Sequence, residues 1–254
     1  MTSGTSPLES GAGPSFYAQP RLLRSTRLRE WWTLLHPPYT VLHLALVTIG
    51  ACLVGPVNVT RYAETLIAFF LALGIGAHAL DELQGRPLRT TIPRWELALA
   101  AALGLGGAVG LGVLGMFVVS YYMAVFIAVG AFAALSYNLE LFGGRFHNGL
   151  VLVLAWGAFP ILTAYYAQHG TIGVASVAAA AFGALVVELQ RTLSTPAREL
   201  RRRTAVVAGT LTRSDGTMSP LTMATILGPL ERSLKVLCWL GVALAVALAY
   251  LRLS

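Results

Sequence analysis

Charge is scarce in this chain, and acid is scarcest. Only 11% of its 254 residues are charged, against roughly 25% in a soluble domain. Eleven carboxylates are present, and Asp81 and Asp215 are the only aspartates. Lys235 is the sole lysine beside seventeen arginines. That poverty excludes a soluble globular fold. Cys52 and Cys238 are the only cysteines and form no CxxC, which excludes a disulfide framework or a thiolate metal site and leaves two small apolar fillers. No P-loop, GxGxxG or GxSxG occurs, and five histidines scattered over different segments are too few for a His-rich metal oxidase. The opening residues 1–20, "MTSGTSPLESGAGPSFYAQP", lack an apolar core segment. They read as a disordered tail rather than a signal peptide.

What is abundant is apolar length. Hydrophobic residues make up 56% of the chain. They fall in blocks of about 20, enough to cross a hydrocarbon core of ~30 Å as helix. The fold class expected is all-α, a polytopic transmembrane bundle over residues 35–254. "RLLRSTRLREWW" precedes it. Residues 21–34 there read as a basic interfacial amphipathic helix with a Trp pair at headgroup level. Seven spans are expected, at residues 38–55, 61–80, 95–113, 116–136, 149–168, 171–188 and 236–251. With the N-terminus inside, nearly all Arg falls on the inner side and only Arg61 and Arg252 fall outside. The positive-inside rule therefore predicts a cytoplasmic N-terminus in a plasma-membrane protein. The formal charge of +7 then reflects topology and anionic lipid, not nucleic acid. An odd span count with the N-terminus inside, and no mid-span Lys, excludes a rhodopsin-like arrangement. Gly106 and Gly110 form a GxxxG pair, read as helix packing.

The polar residues gather on the inner side in three clusters. Asp81 and Glu82 end the second span, with His78 one turn before them on the same helical face and Arg86 just after. Tyr137 and Asn138 end the fourth span, followed by Glu140, Arg145 and His147. Glu188, Gln190 and Arg191 end the sixth, ahead of a segment expected to be a basic loop. Singly, each cluster fits a solvated helix terminus. Three on one membrane face favour a site. Carboxylates that hold Mg²⁺ beside arginines that fork phosphate oxygens suit a lipid diphosphate.

At these residues the chain resembles the UbiA superfamily of intramembrane polyprenyltransferases. The stretches that carry the likeness are "LHPPYTVLHLALVTIGACLVG", "GAHALDELQGRPLRT", "YNLELFGGRFHNGLVLVLAWGAFPILTAYYAQHG" and "ELQRTLSTPARELRRRTAVVAG". The third is similar to menaquinone-type members. The likeness covers about residues 35–251. It implies a UbiA-like fold and transfer of an isoprenoid from its diphosphate to an aromatic or lipid acceptor. It also implies Mg²⁺ held by Asp81, Glu82 and Glu188. The diphosphate would be gripped by Arg86, Arg145, Arg191, Arg198 and Arg202. Asn138 and Tyr137 would orient substrate or shield the cation, and His78 would partner Asp81 or accept a proton. The sequence departs from the family pattern in three ways. The usual Asn-Asp of the first motif is Ala77-His78, the second motif has no Asp, and seven spans stand where nine are usual. Arginine in place of the second set of acids suggests direct neutralisation of the diphosphate. A terpene cyclase and a non-catalytic isoprenoid-binding or partner protein remain open, and a transporter is disfavoured by the absence of a mid-membrane charge or inverted repeat.

Overall fold

A computed structural model describes residue 23 and residues 25–253 of the chain. The tail over residues 1–20, and part of the basic segment after it, lie outside the described residues. Helix α1 (Thr26–Leu34) is capped by Ser25, whose hydroxyl accepts from the Leu28 amide. It meets α2 (Pro37–Ala51) at a corner formed by His36. A long rod follows, α3 (Val59–Phe69), a π-helical segment (Phe70–Ala77) and α4 (His78–Gly85). Then come α5 (Arg94–Val118) and α6 (Met123–Asn138). A second composite rod contains α7 (Gly149–Val153), a π-helical segment (Leu154–Ala158) and α8 (Phe159–His169). Helix α9 (Val174–Arg203) is joined to α10 (Met223–Leu253) through a small antiparallel hairpin, β1 (Thr210–Thr212) with β2 (Met218–Pro220).

Six of these rods are long and apolar enough to cross a membrane, and α6 is a shorter apolar helix. The protein is a multi-pass helical membrane bundle. Each of the seven expected spans overlaps a helix, but several boundaries change. The first helix ends at Ala51 rather than residue 55, the third runs on to Val118, and the fourth begins at Met123 rather than residue 116, because residues 119–122 form a turn. The sixth span does not stop at residue 188. Its helix runs on to Arg203, because "ELQRT" and "ARELRRR" are strong helix formers. The last helix begins at Met223 rather than residue 236.

Helix α2 is the centre, packed against α3, α8, α9 and α10. Its residues Ala45, Leu46 and Ile49 are buried with Trp156, Ile161 and Val187. The outer faces of α5 and α10 instead turn Leu103, Phe117, Leu240 and Val246 outward, as spans that meet lipid do. Close backbone approach sets the packing. A Cβ at Gly50 would lie 2.4 Å from Ile161 O. One at Gly104 would lie 2.6 Å from Leu71 O, and one at Gly183 would lie 2.4 Å from Gly157 O. By contrast, Gly106 and Gly110 meet nothing within 4 Å. The GxxxG pair is therefore not a packing contact; the close contacts on that helix are Gly104 and Gly112, whose added Cβ would lie 2.7 Å from Ile127 Cγ1 of α6.

The two ends differ. At one, the Arg61 guanidinium donates to Gln168 O at 3.2 Å and Val118 O at 3.0 Å, satisfying carbonyls near the ends of α8 and α5. At the other, two carboxylates organise the chain between α4 and α5. Glu82, fully buried, accepts from the Leu88 and Thr90 amides at 3.0 and 2.9 Å and from Thr90 Oγ1 at 2.8 Å. Glu30 accepts from Thr91 N and Oγ1, both at 2.9 Å.

Gly183→Ala is expected to destabilise the bundle by ~1–3 kcal/mol, because the new methyl meets backbone that cannot yield. Gly106→Ala, facing open space, should cause no loss. Thermal melts in detergent followed by circular dichroism measure both, and equal losses would refute this packing scheme.

Candidate functional site

The basic end holds a cavity of about 500 Å³. Its walls come from segments far apart in sequence. His36, at the corner before α2, faces His78 of α4 with ring centroids 4.8 Å apart. His36 holds a left-handed backbone, φ 43° and ψ 58°, directly before Pro37. Such strain in a non-glycine residue costs roughly 1–3 kcal/mol and concentrates at functional sites. Thr40 Oγ1 donates to Leu35 O at 2.6 Å and lies 3.5 Å from His78 Nε2.

Both π-helical segments stand beside this cavity. The first immediately precedes His78 and Asp81, and the second carries Trp156. A π turn is wider than an α turn, so it changes the phase of whatever follows and recurs at functional sites. Asp81 lies in the wall and makes no hydrogen bond or ion pair among the described residues. The side-chain charges acting on it are those of His147, Glu82, Arg198 and Arg202.

A row of rings forms another wall. Trp156 is 4.8 Å from Tyr137, and Tyr137 stacks on His147 at 4.4 Å and 26°. Beside them the buried Asn138 donates through Nδ2 to Ala134 O at 2.7 Å, which leaves Oδ1 available. Opposite stands the extended half of α9. Arg191, Ser194, Arg198, Arg201 and Arg202 recur at helical spacing and all line the cavity. Arg201 is ion-paired with Glu231 of α10. Arg198 and Arg202 make no hydrogen bond or ion pair among the described residues.

Of the residues singled out from sequence, the cavity thus gathers His78, Asp81, Tyr137, Asn138, Arg191, Arg198 and Arg202. Four others do not join it as free groups. Glu82 is occupied by the loop that it organises. Arg86 donates to Thr90 O and Ile92 O at 2.7 and 3.0 Å. Arg145 is exposed outside the wall. Glu188 lies outside the wall and accepts two bonds from Arg191, at 2.9 and 2.7 Å. The same pair leaves Arg191 only partly available. Sequence reasoning assigned no role to His36, Tyr39, His147, Trp156 or the Arg201–Glu231 pair. The signal for the last was the Arg phase over residues 191–202, which a presumed loop conceals.

A second cavity, of about 430 Å³, is almost wholly apolar and lies between α3 with its π segment, α5, α6 and α8. Phe69, Leu105, Phe126 and Phe159 line it, and Gly106 opens onto it. It reaches from Trp156 to Val118 and Arg61. Along α5 that is on the order of 20 Å at 1.5 Å per residue. Trp156 lines both cavities.

No three metal-ligating side chains converge among the described residues. The carboxylates in the polar wall are Asp81, Glu140 and Glu231, and Glu231 is already paired. Mg²⁺ commonly takes one or two protein carboxylates with water and substrate phosphate. This donor set fits one such ion at Asp81 and does not fit two. The protein is thus a helical membrane bundle with a mixed-charge, ring-walled pocket at its basic end and an apolar chamber beside it. No protein-family model, curated protein or solved structure matches the chain.

Glu82→Ala should cost about 1–3 kcal/mol, since it strands the buried Thr90 amide and the half-buried Leu88 amide. Asp81→Asn, which breaks no contact, should change stability by less than about 0.5 kcal/mol. Detergent melting curves that ranked these two in reverse would contradict the separation of roles.

Proposed function

We propose that this protein is a UbiA-type intramembrane prenyltransferase, using an isoprenoid diphosphate and an aromatic or lipid acceptor. The observation that carries the reading is Trp156, the common wall of a polar cavity and an apolar one. An amphiphile with a charged head and a tail of ~20 Å matches that pair of spaces. The arginine excess at the polar end supports a cytoplasmic site, with the N-terminus on the same side of the plasma membrane.

Arg198 and Arg202 offer guanidinium donors to the diphosphate oxygens, with Arg191 in a supporting place. Asp81 is the residue that would hold Mg²⁺, which when bound neutralises charge on the leaving diphosphate. Heterolysis of the allylic C–O bond leaves the electron pair on the diphosphate. The allylic cation then faces Tyr137 and Trp156, whose ring faces stabilise positive charge. A bond from the acceptor to that cation completes the transfer. Asn138 Oδ1 and His78 are placed to orient the reacting groups.

One observation favours a second reading, a non-catalytic isoprenoid-binding protein. A single unpaired aspartate is a sparse set for ionising a diphosphate.

Calorimetry in micelles with geranyl, farnesyl and geranylgeranyl diphosphate tests the reading. At least one should bind, and Arg198→Gln with Arg202→Gln should weaken it roughly 10-fold or more through lost charge-assisted bonds. Absence of binding with and without Mg²⁺ would sink the reading. Asp81→Asn should abolish transfer while the fold persists. If neither form transfers, the non-catalytic reading stands instead.

A further inference from the structure

The loop between α6 and α7 is built in an expensive conformation. Glu140 and Phe142 hold left-handed backbones, φ 49° and 56°, and Gly143 and Gly144 follow at 69° and 76°. For a bulky residue such as Phe this is a true outlier, worth about 1–3 kcal/mol. A ring cluster holds the loop there. Phe146 packs edge-on against Phe132 at 5.0 Å and against Phe142 at 5.8 Å. The outcome of this folding back is the position of His147, whose imidazole lies flat on Tyr137 in the pocket wall.

The tautomer of that imidazole follows from its partner. His147 Nδ1 lies 2.9 Å from Tyr137 O. A carbonyl oxygen only accepts, so Nδ1 carries the hydrogen, and in the neutral ring the lone pair is on Nε2. Among the other pocket bases, His36 and His78 pack against one another, Glu231 is ion-paired, and Asp81 is the carboxylate assigned above to the metal. His147 ends the ring row Trp156–Tyr137–His147, beside the rings that would stabilise the cation.

We propose that His147 is the catalytic base of the transfer step, a role that rests on the prenyltransferase reading above. As the acceptor's carbon or oxygen bonds to the allylic cation, its bond to hydrogen breaks. The electrons of that bond stay with the acceptor, and the proton passes to Nε2. The diphosphate has already left with the electron pair of its C–O bond, so charge and atoms balance. The strained loop fixes the position of the base, and the Tyr137 carbonyl fixes its tautomer.

His147→Asn isolates the chemistry, because the Asn amide can keep donating to Tyr137 O while Nε2 is lost. Membranes of the cell that makes the protein, carrying either form as the sole copy, are supplied with radiolabelled geranyl, farnesyl and geranylgeranyl diphosphates. Such membranes contain the natural acceptor. Wild type should label a prenylated product. The variant should bind the donor within about threefold of wild type and form product at least ~100-fold more slowly. Its label should be diverted to the prenyl alcohol. Added imidazole should restore product formation to His147→Ala, a rescue that a merely structural residue would not show. Product formed by His147→Asn at the wild-type rate overturns the proposal and leaves the prenyltransferase reading intact. Loss of donor binding in His147→Asn also overturns it, by assigning His147 to the head-group site. If wild type labels no product, the transferase reading itself fails and the base assignment fails with it.

Discussion

The bundle depends on places where a glycine lets two backbones touch. Between helices in lipid no hydrophobic force favours association, so close van der Waals contact must supply it. Gly50 against Ile161 fixes the central helix on α8. Gly104 fixes α5 on the first π-helical segment, and Gly157 with Gly183 fixes the second on α9. Two of these three contacts involve the very segments whose wide turns face the chambers. Packing and pocket are thus linked. The glycines hold the rods together, and the π turns let the same rods carry His78, Asp81 and Trp156 into one space.

Around that space, the polar groups divide by whether they already have partners. Glu30, Glu82 and Arg86 are committed to the segment between α4 and α5, and Glu188 is committed to Arg191. In a chain so poor in charge, each such commitment leaves fewer groups for a ligand. Asp81, Arg198 and Arg202 remain without a hydrogen bond or ion pair among the described residues. One carboxylate and two guanidinium groups around a cavity of about 500 Å³ suit a ligand that is itself charged. An uncharged ligand would leave those groups to water alone.

Sequence disclosed the membrane bundle clearly, since apolar blocks of span length admit few other folds. It also disclosed that the polar clusters share one end. It did not disclose which clustered residues are free. Asp81 and Glu82 are adjacent in sequence, but they point about 100° apart around the helix and meet different environments, one a cavity and the other a loop. Nothing in the pair itself assigns the outward role to Asp81. The left-handed His36 was equally hidden, because residues before proline favour extended backbone. His147 stood in the second polar cluster of the sequence, but its position against Tyr137 needed the fold. Its place comes from a loop with four left-handed residues, and only the phenylalanines and glycines of "LFGGRFH" hinted at that.

The arginines of α9 show where a topological signal and a site signal can be told apart. As a count, the five arginines over residues 191–203 are only the kind of signal that orients a helix across a membrane. Their phase says more. Arg191, Arg198, Arg201 and Arg202 lie on the face that lines the cavity, whereas Arg203 and Arg213 of the following segment lie exposed outside it. A charge needed only for orientation has no preferred azimuth, because the membrane potential and the lipid headgroups act along the bilayer normal. A stripe confined to one azimuth answers to something beside the helix. Here that is the cavity shared with Asp81, so the helical continuation of α9 beyond the apolar span is what turns a sorting signal into a wall of the site.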